Sequence, residues 1–240
     1  MIQRDEEWEE KIVPCLYRPF DPRWIFYHYH AIDFGREEVM RHMLTGENLG
    51  FSTTRSIEIG RGFEHVFCCC EIIQHHTVSL KEVNYLFPLY LYPDTSKENL
   101  FSDREFSEER KPNLNPKVVE ALKATYRQEP TPEEIFHYIY AIFYAGIYRE
   151  KYAELLKIDF PRVPFTADFK LFQALVALGK QLVDLHLLSP SPWNRELTLD
   201  EIRTYCLVVT AIQQTIALQE EIDALYPEVE ERIVEMRQDE

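Results

Sequence analysis

Glycine is scarce in this sequence, with only 7 residues among 240. Neither GxGxxG nor GxxxxGK[ST] occurs, so no glycine-rich loop is present whose backbone could hold the phosphates of a nucleotide. A GxSxG frame for a serine nucleophile is also missing. The NPP[YF] signature of amino-methyltransferases is absent too, because Asn115-Pro116-Lys117 lacks the second proline and the aromatic residue. The sequence therefore predicts no catalytic centre of its own.

Long apolar runs and a disulfide framework are likewise missing. No run of about 18 or more apolar residues occurs, and the N-terminus MIQRDEEWEEK is acidic where a signal peptide is basic. The cysteines number 5, of which 3 are adjacent, and they do not form a disulfide pattern in a chain of this length. We therefore expect a cytoplasmic protein with no membrane partner.

Negative charge dominates the sequence, but its excess lies at the two ends. The chain has 41 acidic and 26 basic side chains, a net charge of −15. Residues 1–10 contribute −4 and residues 191–240 contribute −8, whereas residues 11–90 carry 8 basic and 9 acidic side chains. Most histidines also lie in this nearly neutral segment. It is therefore the part of the chain that repels a polyanion such as nucleic acid least.

The stretch NYLFPLYLYP, residues 84–93, separates two kinds of pattern. Its side chains are apolar or aromatic on both faces of an extended strand, which predicts cover on both sides. Pro88 cannot donate a ladder hydrogen bond, so we expect an edge, a bulge or a bend there. The chain has the pattern of strands and turns before this stretch, and the pattern of helices after it.

The part before this stretch contains two predicted strand pairs and a short helix. Phe20–Arg23 is predicted as a turn between two strands. Residues 48–56 and 63–73 are predicted to pair across the turn Gly60-Arg61-Gly62. The short helix precedes Gly46 and is indicated by apolar residues at helical spacing, which are Val39, Met40, Met43 and Leu44.

The part after this stretch contains capped amphipathic helices. Thr131-Pro132-Glu133-Glu134 is a capping box, and it predicts a helix that continues to about Ile158 with a bend near Gly146. A second helix follows Thr166. Thr198-x-x-Glu201 opens a third helix, which ends in an acidic tail. Its predicted apolar stripe consists of Tyr205, Val208, Val209, Ile212 and Ile216.

These patterns together predict an α+β chain. Residues 1–93 form a β-rich half, and residues 94–115 form a polar connection. Residues 116–240 form a helical half with long amphipathic helices and an acidic C-terminal helix. The acidic helical end suggests an alternative role for the chain, as a non-catalytic interaction module that docks onto another protein through this end.

A group of zinc-binding residue types lies at residues 65–76. The group contains His65, Cys68–Cys70, His75 and His76. In an extended strand Cys68 and Cys70 face one way while Cys69 faces the other, and no CxxC or HxxxH spacing is present. We therefore predict core cysteines and no metal site; a zinc enzyme stays the alternative that a direct metal analysis would decide.

Basic and hydrogen-bonding side chains concentrate between residues 48 and 81. Arginine can bond to guanine with two hydrogen bonds, and glutamine can do so to adenine, so such residues on loops suit base reading. A solvated polar face would have the same composition, and that interpretation stays open. The candidate DNA contacts are Ser52, Thr54, Arg55, Arg61, Gln74, His75, His76 and Lys81.

An ordered series of motifs carries a family resemblance. The motifs are YRPFDPRWIFYH (17–28), EVMRHMLTGENLGFSTTRS (38–56), HVFCCCEII (65–73), EVNYLFPLYLYPD (82–94), KPNLNP (111–116) and the segment 131–166 that begins TPEEIFHYIY. In this order, over about residues 14–188, the chain resembles the C-terminal specificity region of single-polypeptide restriction-modification enzymes. These are the type ISP and type IIG-like proteins.

The resemblance implies a target-recognition domain that reads a short sequence in double-stranded DNA. In such enzymes an adenine methyltransferase and an endonuclease, which use S-adenosylmethionine and Mg²⁺, lie outside this region. Their motifs are upstream in the family and missing here. We therefore expect no cofactor in this chain, and catalytic regions in the same or a partner polypeptide. Arg55→Ala or Arg61→Ala is expected to weaken specific binding by about 1–3 kcal/mol per lost base contact.

Overall fold

The computed structural model describes residues 8–58, 61–94, 110–187 and 200–234. Within these ranges the predicted α+β class is confirmed, because short strands dominate up to residue 91 and helices dominate from residue 116. The strands are β1 (Ile12–Arg18), β2 (Asp21–Phe26), β3 (Gly50–Thr54), β4 (Val66–Cys69), β5 (Ile72–Ile73), β6 (Asn84–Pro88), β7 (Tyr90–Leu91) and β8 (Lys111–Pro112).

Three helices in the described residues begin where the sequence supplies a side-chain cap. Asn115 and Asp168 accept backbone N–H bonds at the starts of α2 and α6, and Thr131 and Glu134 form the predicted capping box of α3. The helices are α1 (Glu37–Leu44), α2 (Pro116–Tyr126), α3 (Pro132–Tyr144), α4 (Gly146–Lys151), α5 (Ala153–Leu156), α6 (Phe169–His186) and α7 (Asp200–Glu231).

The first three-stranded sheet has the order β2-β1-β5. β1 and β2 are antiparallel and connect through Pro19–Phe20, where Phe20 takes a left-handed conformation with φ 61°. The predicted turn at Phe20–Arg23 was therefore placed too late, since Pro22 and Arg23 already lie in β2. An edge strand tolerates Pro22, because its missing N–H need not bond to a second neighbour.

The second three-stranded sheet has the order β4-β3-β6. The predicted pairing of β3 with β4 is confirmed, although Gly60 of the predicted turn lies outside the described residues. β6 is an edge strand that ends at Pro88, as predicted. One face is covered, since Leu86 is buried with Met40 of α1. The other face is partly covered: the ring of Phe160 lies 5.4 Å from that of Phe87, whereas Tyr85 is 39% exposed.

Tyrosines of α3 complete the free edge of β4. Tyr140 Oη accepts a hydrogen bond from the Cys68 backbone N–H at 3.1 Å, and Tyr144 Oη donates one to the Val66 carbonyl at 2.9 Å. The outer backbone groups of an edge strand are thereby bonded within the protein. Since Val66 and Cys68 also belong to the core formed by the helices, strands and helices share that core; the division at residues 93 and 115 stays a prediction.

The helix predicted to continue to about Ile158 is broken rather than bent. α3 ends at Tyr144, since Ala145 is extended with ψ 116°, and α4 begins at Gly146. The Asp223 carboxylate of α7 accepts a hydrogen bond from Ile147 N at 3.0 Å. A carboxylate at the start of a helix bonds a free N–H and meets the positive end of the helix dipole, so this contact stabilises the break.

α7 buries a different face from the predicted one. Ile212 and Ile216 of the predicted stripe are 48% and 52% exposed. The helix has a second apolar stripe, whose Ile222 and Tyr226 are fully buried, and this stripe is longer and packs against the other helices. Thr198 and the Tyr205 side chain lie outside the described residues. No helix in the described part of the chain is long and apolar enough to span a membrane.

A chain of hydrogen bonds through His186 connects the sheet to the helices. The Tyr140 hydroxyl lies 2.7 Å from His186 Nδ1, and His186 Nε2 lies 2.9 Å from Thr215 Oγ1. Thr215 donates onward to the Ala211 carbonyl at 2.8 Å, and Tyr140 already accepts from Cys68 N. All of these hydrogen bonds form when His186 is neutral. Its Nδ1 then accepts a hydrogen bond from the Tyr140 hydroxyl, and its Nε2–H donates one to Thr215 Oγ1.

The stability of the protein is expected to fall in mild acid because of His186. Burial, together with the nearby Arg149 guanidinium, lowers the pKa of His186 to about 3. Above about pH 6.5 the imidazole is neutral in the folded and unfolded chains, so its contribution is complete. Below that pH only the unfolded chain binds a proton at His186. Each further decrease of one pH unit then lowers the free energy of unfolding by about 1.4 kcal/mol, until the pH reaches the pKa of His186 in the folded protein.

Urea titrations between pH 7 and pH 4 measure this effect. His186→Gln should reduce the slope of the free energy of unfolding against pH by the equivalent of about one bound proton. This expectation holds whatever the stability of the variant at pH 7. His30→Gln, which changes an exposed histidine, is the matched control and should keep the slope of the parent protein. Equal slopes in the His186→Gln and parent proteins would contradict this assignment.

Candidate nucleic-acid interface

The two sheets end in loops that lie together at one end of the strands. Gln74 N donates to the Leu16 carbonyl at 3.1 Å, which joins the end of β5 to the end of β1. The Asn84 N–H at the start of β6 donates to the His75 carbonyl at 3.3 Å. We call this end the loop face and define it as residues 17–23, 55–58, 61–65 and 74–83.

Buried Asn84 holds the loop between β5 and β6 in one conformation. Its Oδ1 accepts the backbone N–H groups of Val78 and Ser79, and its Nδ2 donates to the carbonyls of Ser79 and Glu82, the latter at 2.7 Å. One amide side chain thus replaces four backbone partners that a strand or helix would provide. The loop is consequently a fixed support for the side chains that it carries, including Lys81.

The three predicted basic contacts lie on the loop face, and each pairs with an acid. Arg55 lies 3.2 Å from Asp159, while Arg61 and Lys81 share Glu58 at 3.7 and 2.7 Å. All three basic side chains are more than half exposed. Exposed ion pairs contribute about 0–1 kcal/mol, so a phosphate or a base edge can replace these acids at small cost.

Gln74, His75 and His76 are the other predicted contacts on this face. Gln74 Oε1 accepts from Arg18 Nη1 at 2.9 Å and from His76 N at 2.6 Å. The His75 side chain is exposed, and its ring lies 4.6 Å from that of His76. His76 Nδ1 is buried and has no hydrogen-bond partner among the described residues. His75 is thus the more accessible of the two histidines.

Ser52 and Thr54 are buried, unlike the other six predicted contacts. They are 0% and 1% exposed, and their hydroxyls have no hydrogen-bond partner in the described part of the chain. Both belong to β3, the central strand of its sheet, which is covered on both faces. They were predicted as contacts for their hydrogen-bonding side chains, but β3 has no exposed residue, so these two side chains offer no surface to a ligand.

The hairpin of β1 and β2 brings further cations to the loop face that sequence reasoning missed. The Tyr17 ring lies between two guanidinium groups, with Arg18 Cζ 4.2 Å and Arg23 Cζ 4.0 Å from its centroid. Arg23 also bonds to Asp21 through two nitrogens. The run YRPFDPR contained the signal, since an arginine stands on either side of the turn, but the predicted contacts were confined to residues 48–81.

Comparison with known proteins identifies the domain. The family described as the Type ISP C-terminal specificity domain matches residues 2–234, nearly the whole chain. The chain belongs to this family. The resemblance predicted from the motifs is thereby confirmed, and it extends to α7, beyond the residues on which the prediction rested. No curated protein matches the chain.

Solved structures share the fold of this specificity domain. The DNA complex of DrdV has a TM-score of 0.59 and 25% identity over 82% of this chain. A nuclease-deletion mutant of the Type ISP restriction-modification enzyme LlaGI, in complex with a DNA substrate mimic, has a TM-score of 0.54 and 17% identity over 78% of this chain. The ATP-dependent Type ISP restriction-modification enzyme LlaBIII bound to DNA has a TM-score of 0.56 and 22% identity over 78% of this chain. This chain spans only 18%, 14% and 11% of those chains, respectively.

The cysteines of the specificity domain point into different parts of the protein. Cys68 belongs to the core that β4 shares with the helices, and Cys69 belongs to the core beside α1, as the alternation along the strand predicted. Partial burial and the neighbouring Glu71 carboxylate together raise the pKa of the Cys70 thiol to about 11. Within the described ranges, no group of three or more His, Cys, Asp or Glu side chains is arranged so that it could hold a metal ion.

A crevice of about 290 Å³ opens beside the hairpin turn of the specificity domain. Phe20 and Phe67 form one wall, and Ile212 and Ile216 of α7 form the other. The His186 ring stacks on Phe67 at 5.0 Å and closes the inner end. The exposed isoleucines of α7 thus border the same end of the molecule as the loop face.

Proposed function

We propose that this specificity domain recognises a short sequence in duplex DNA for a restriction-modification enzyme. The observation that carries the proposal is the loop face, where neighbouring loops present arginine, lysine, glutamine and histidine side chains in a member of this family. Phosphate contacts would position the domain, and side chains on the loops would read base edges. The DNA-bound relatives of similar fold support this proposal.

The proposed contacts are the six exposed or partly exposed residues of the predicted set. Arg55, Arg61 and Lys81 can exchange an exposed acid for phosphate or guanine. Gln74, His75 and His76 lie beside them and provide further hydrogen-bonding groups. An adenine methyltransferase and an endonuclease, with S-adenosylmethionine and Mg²⁺, would belong to regions of the same or a partner polypeptide in the cytoplasm.

Salt dependence tests whether the chain binds DNA through cations. Fluorescence anisotropy of a labelled duplex should show binding by the 240-residue protein, and the affinity should fall linearly with salt on a double-logarithmic plot. Each phosphate contact adds about 0.9 to the slope for duplex DNA. Absence of binding at low salt would contradict the proposal.

Glu58→Gln is expected to tighten DNA binding that does not depend on sequence. Glu58 holds both Arg61 and Lys81, and its own charge repels phosphate. Removing the carboxylate should release two cations and raise the affinity by about fivefold, which corresponds to roughly 1 kcal/mol. Glu129→Gln removes the same charge from the exposed pair with Lys123 on the helical side and should have little effect. Equal affinities for the two variants would show that Glu58 does not face the DNA.

The alternative is an interaction module that docks onto another protein through its acidic helical end. Ile212 and Ile216, which are about half exposed on α7, are the observation in its favour, because exposed apolar side chains on a helix suit a protein partner. This candidate predicts no DNA binding at low salt. The anisotropy measurement therefore separates the two functions.

A further inference from the structure

The hairpin of β1 and β2 has the shape of an element that fits a DNA groove. β1 and β2 form an antiparallel hairpin with 6 cross-strand pairs and a two-residue turn at Pro19–Phe20, and the other side of β1 pairs only with the two residues of β5 in the described part of the chain. β2 is the edge strand of its sheet, and the side chains in its middle are exposed. The major groove of B-DNA, about 12 Å wide, admits a ribbon of this kind.

Arg18, the last residue of β1 before the turn, is a cation with no acidic partner among the described residues. Arg18 Nη1 donates to the Tyr17 carbonyl at 2.6 Å and to Gln74 Oε1 at 2.9 Å. No carboxylate pairs with Arg18 within residues 8–58, 61–94, 110–187 and 200–234, in contrast to Arg55 and Arg61. Its positive charge is therefore not neutralised there, and its guanidinium is held at one edge while its other donors remain available.

Packing fixes the position of the turn relative to the rest of the loop face. Phe20 has a φ of 61°, which a bulky L-residue rarely adopts. Its ring lies edge-on to Phe67 at 4.9 Å and to His186 at 5.7 Å. A strained conformation persists where the surrounding contacts hold it, and such residues cluster at ligand-binding sites.

The outer surface of the hairpin also has an unusual apolar residue. Trp24 is 73% exposed, although burial of a tryptophan is strongly favourable. It pairs across the strands with Pro14, which is exposed as well. Aromatic side chains in this situation are typical of contact surfaces, and Trp24 lies on the same ribbon as Arg18 and Arg23.

We propose that the end of the β1–β2 hairpin enters the major groove, that Arg18 reads a guanine there, and that Gln74 positions Arg18. The inference rests on the proposed function and adds residues outside the segment 48–81. A guanidinium held at one edge matches the two acceptors of guanine, and the uncompensated charge of Arg18 complements the phosphates on either side of the groove. Gln74 acts through Arg18, since its Oε1 is already occupied.

Selection from duplexes with a randomised core tests the role of Arg18. The parent protein should enrich one short motif. The Arg18→Ala variant should lose the preference for one guanine in this motif. The affinity of the variant for the parent motif should fall about 10- to 100-fold. Gln74→Ala should weaken the preference at the same position. Lys123→Ala, which removes one exposed cation from α2, should leave the motif intact. Full preference for the parent motif in Arg18→Ala would overturn the inference.

Trp24 fluorescence gives a second measurement that does not depend on base preference. A protein with Trp8→Phe and Trp193→Phe retains only Trp24, and duplex DNA should protect it from quenching by acrylamide. The matched control retains only Trp8, which is exposed at the opposite end of β1, and its quenching should not change. Unchanged quenching of Trp24 in a protein that binds the labelled duplex would also overturn the inference.

The outcomes separate this inference from the proposed function. If the parent protein enriches no motif, the proposed function fails and the role of Arg18 fails with it. A second outcome would exclude the hairpin from the DNA contact while DNA recognition by the domain stands. In that outcome Arg61→Glu/Lys81→Glu abolishes selection, Arg18→Ala selects the parent motif, and DNA does not change the quenching of Trp24.

Discussion

Gly179→Ala is expected to lower the free energy of unfolding by at least about 2 kcal/mol, although alanine favours a helix by about 1 kcal/mol over glycine. Gly179 lies in α6 where this helix touches α3. A Cβ at this position would lie 1.9 Å from the His137 carbonyl oxygen and 3.3 Å from the Ala141 Cβ. The clash is with backbone, so the two helices must move apart and lose contacts in the middle of the core.

Urea denaturation followed by far-UV circular dichroism measures this loss. Gly62→Ala is the matched control, because a Cβ there meets nothing within 4 Å, and it should leave the denaturation midpoint almost unchanged. Gly179→Val should destabilise the protein more than Gly179→Ala, since its larger side chain meets the same carbonyl. A Gly179→Ala protein as stable as the parent would show that α3 and α6 are not in close contact.

Arg61→Glu/Lys81→Glu is expected to weaken specific DNA binding by at least about 30-fold, which corresponds to roughly 2 kcal/mol. Both side chains pair with Glu58 on the loop face. Reversing their charges removes two donors for phosphate or base edges and leaves three carboxylates close together. The repulsion between these carboxylates and DNA adds to the loss of contacts.

The control for this variant is Lys123→Glu/Lys180→Glu. It changes the net charge by the same amount, and its two lysines also belong to exposed ion pairs, with Glu129 and Asp184. They lie on α2 and α6 in the helical part. Equal losses in the two double variants would mean that net charge, rather than the loop face, governs binding.

Much of the fold could be predicted from local chemistry. The capping box at Thr131 and the pairing of β3 with β4 were predicted because caps and strand patterns act over a few residues. Pro88 predicted an edge, a bulge or a bend, and the edge position of β6 is one of these alternatives. In each case the deciding group is within the element itself, so no knowledge of distant neighbours was needed.

The errors arose where distant contacts decide the outcome. Ser52 and Thr54 are buried because β3 is central and covered on both faces, which polar side chains in a strand pattern do not reveal. The apolar face of α7 was placed wrongly because the helix has two such stripes, and only packing selects the one with Ile222. The turn at Pro19–Phe20 depends on a left-handed phenylalanine that Phe67 and His186 hold.

The candidate site was predictable in composition and not in arrangement. The sequence identified the segment 48–81 and its cations, because basic and amide side chains are the chemistry that reads DNA. It did not reveal that Asn84 fixes the loop that carries Lys81, nor that Gln74 bonds to Arg18 across 56 positions of sequence. Such contacts between separate loops require the tertiary structure.

Selection by the parent protein from duplexes with a randomised core is the most direct measurement of sequence-specific recognition. The loop face predicts that one short motif is enriched, and that an unlabelled duplex with this motif displaces a labelled one far better than a scrambled duplex does. A selected pool indistinguishable from the starting pool, obtained with folded protein, would contradict recognition of a DNA sequence by this domain.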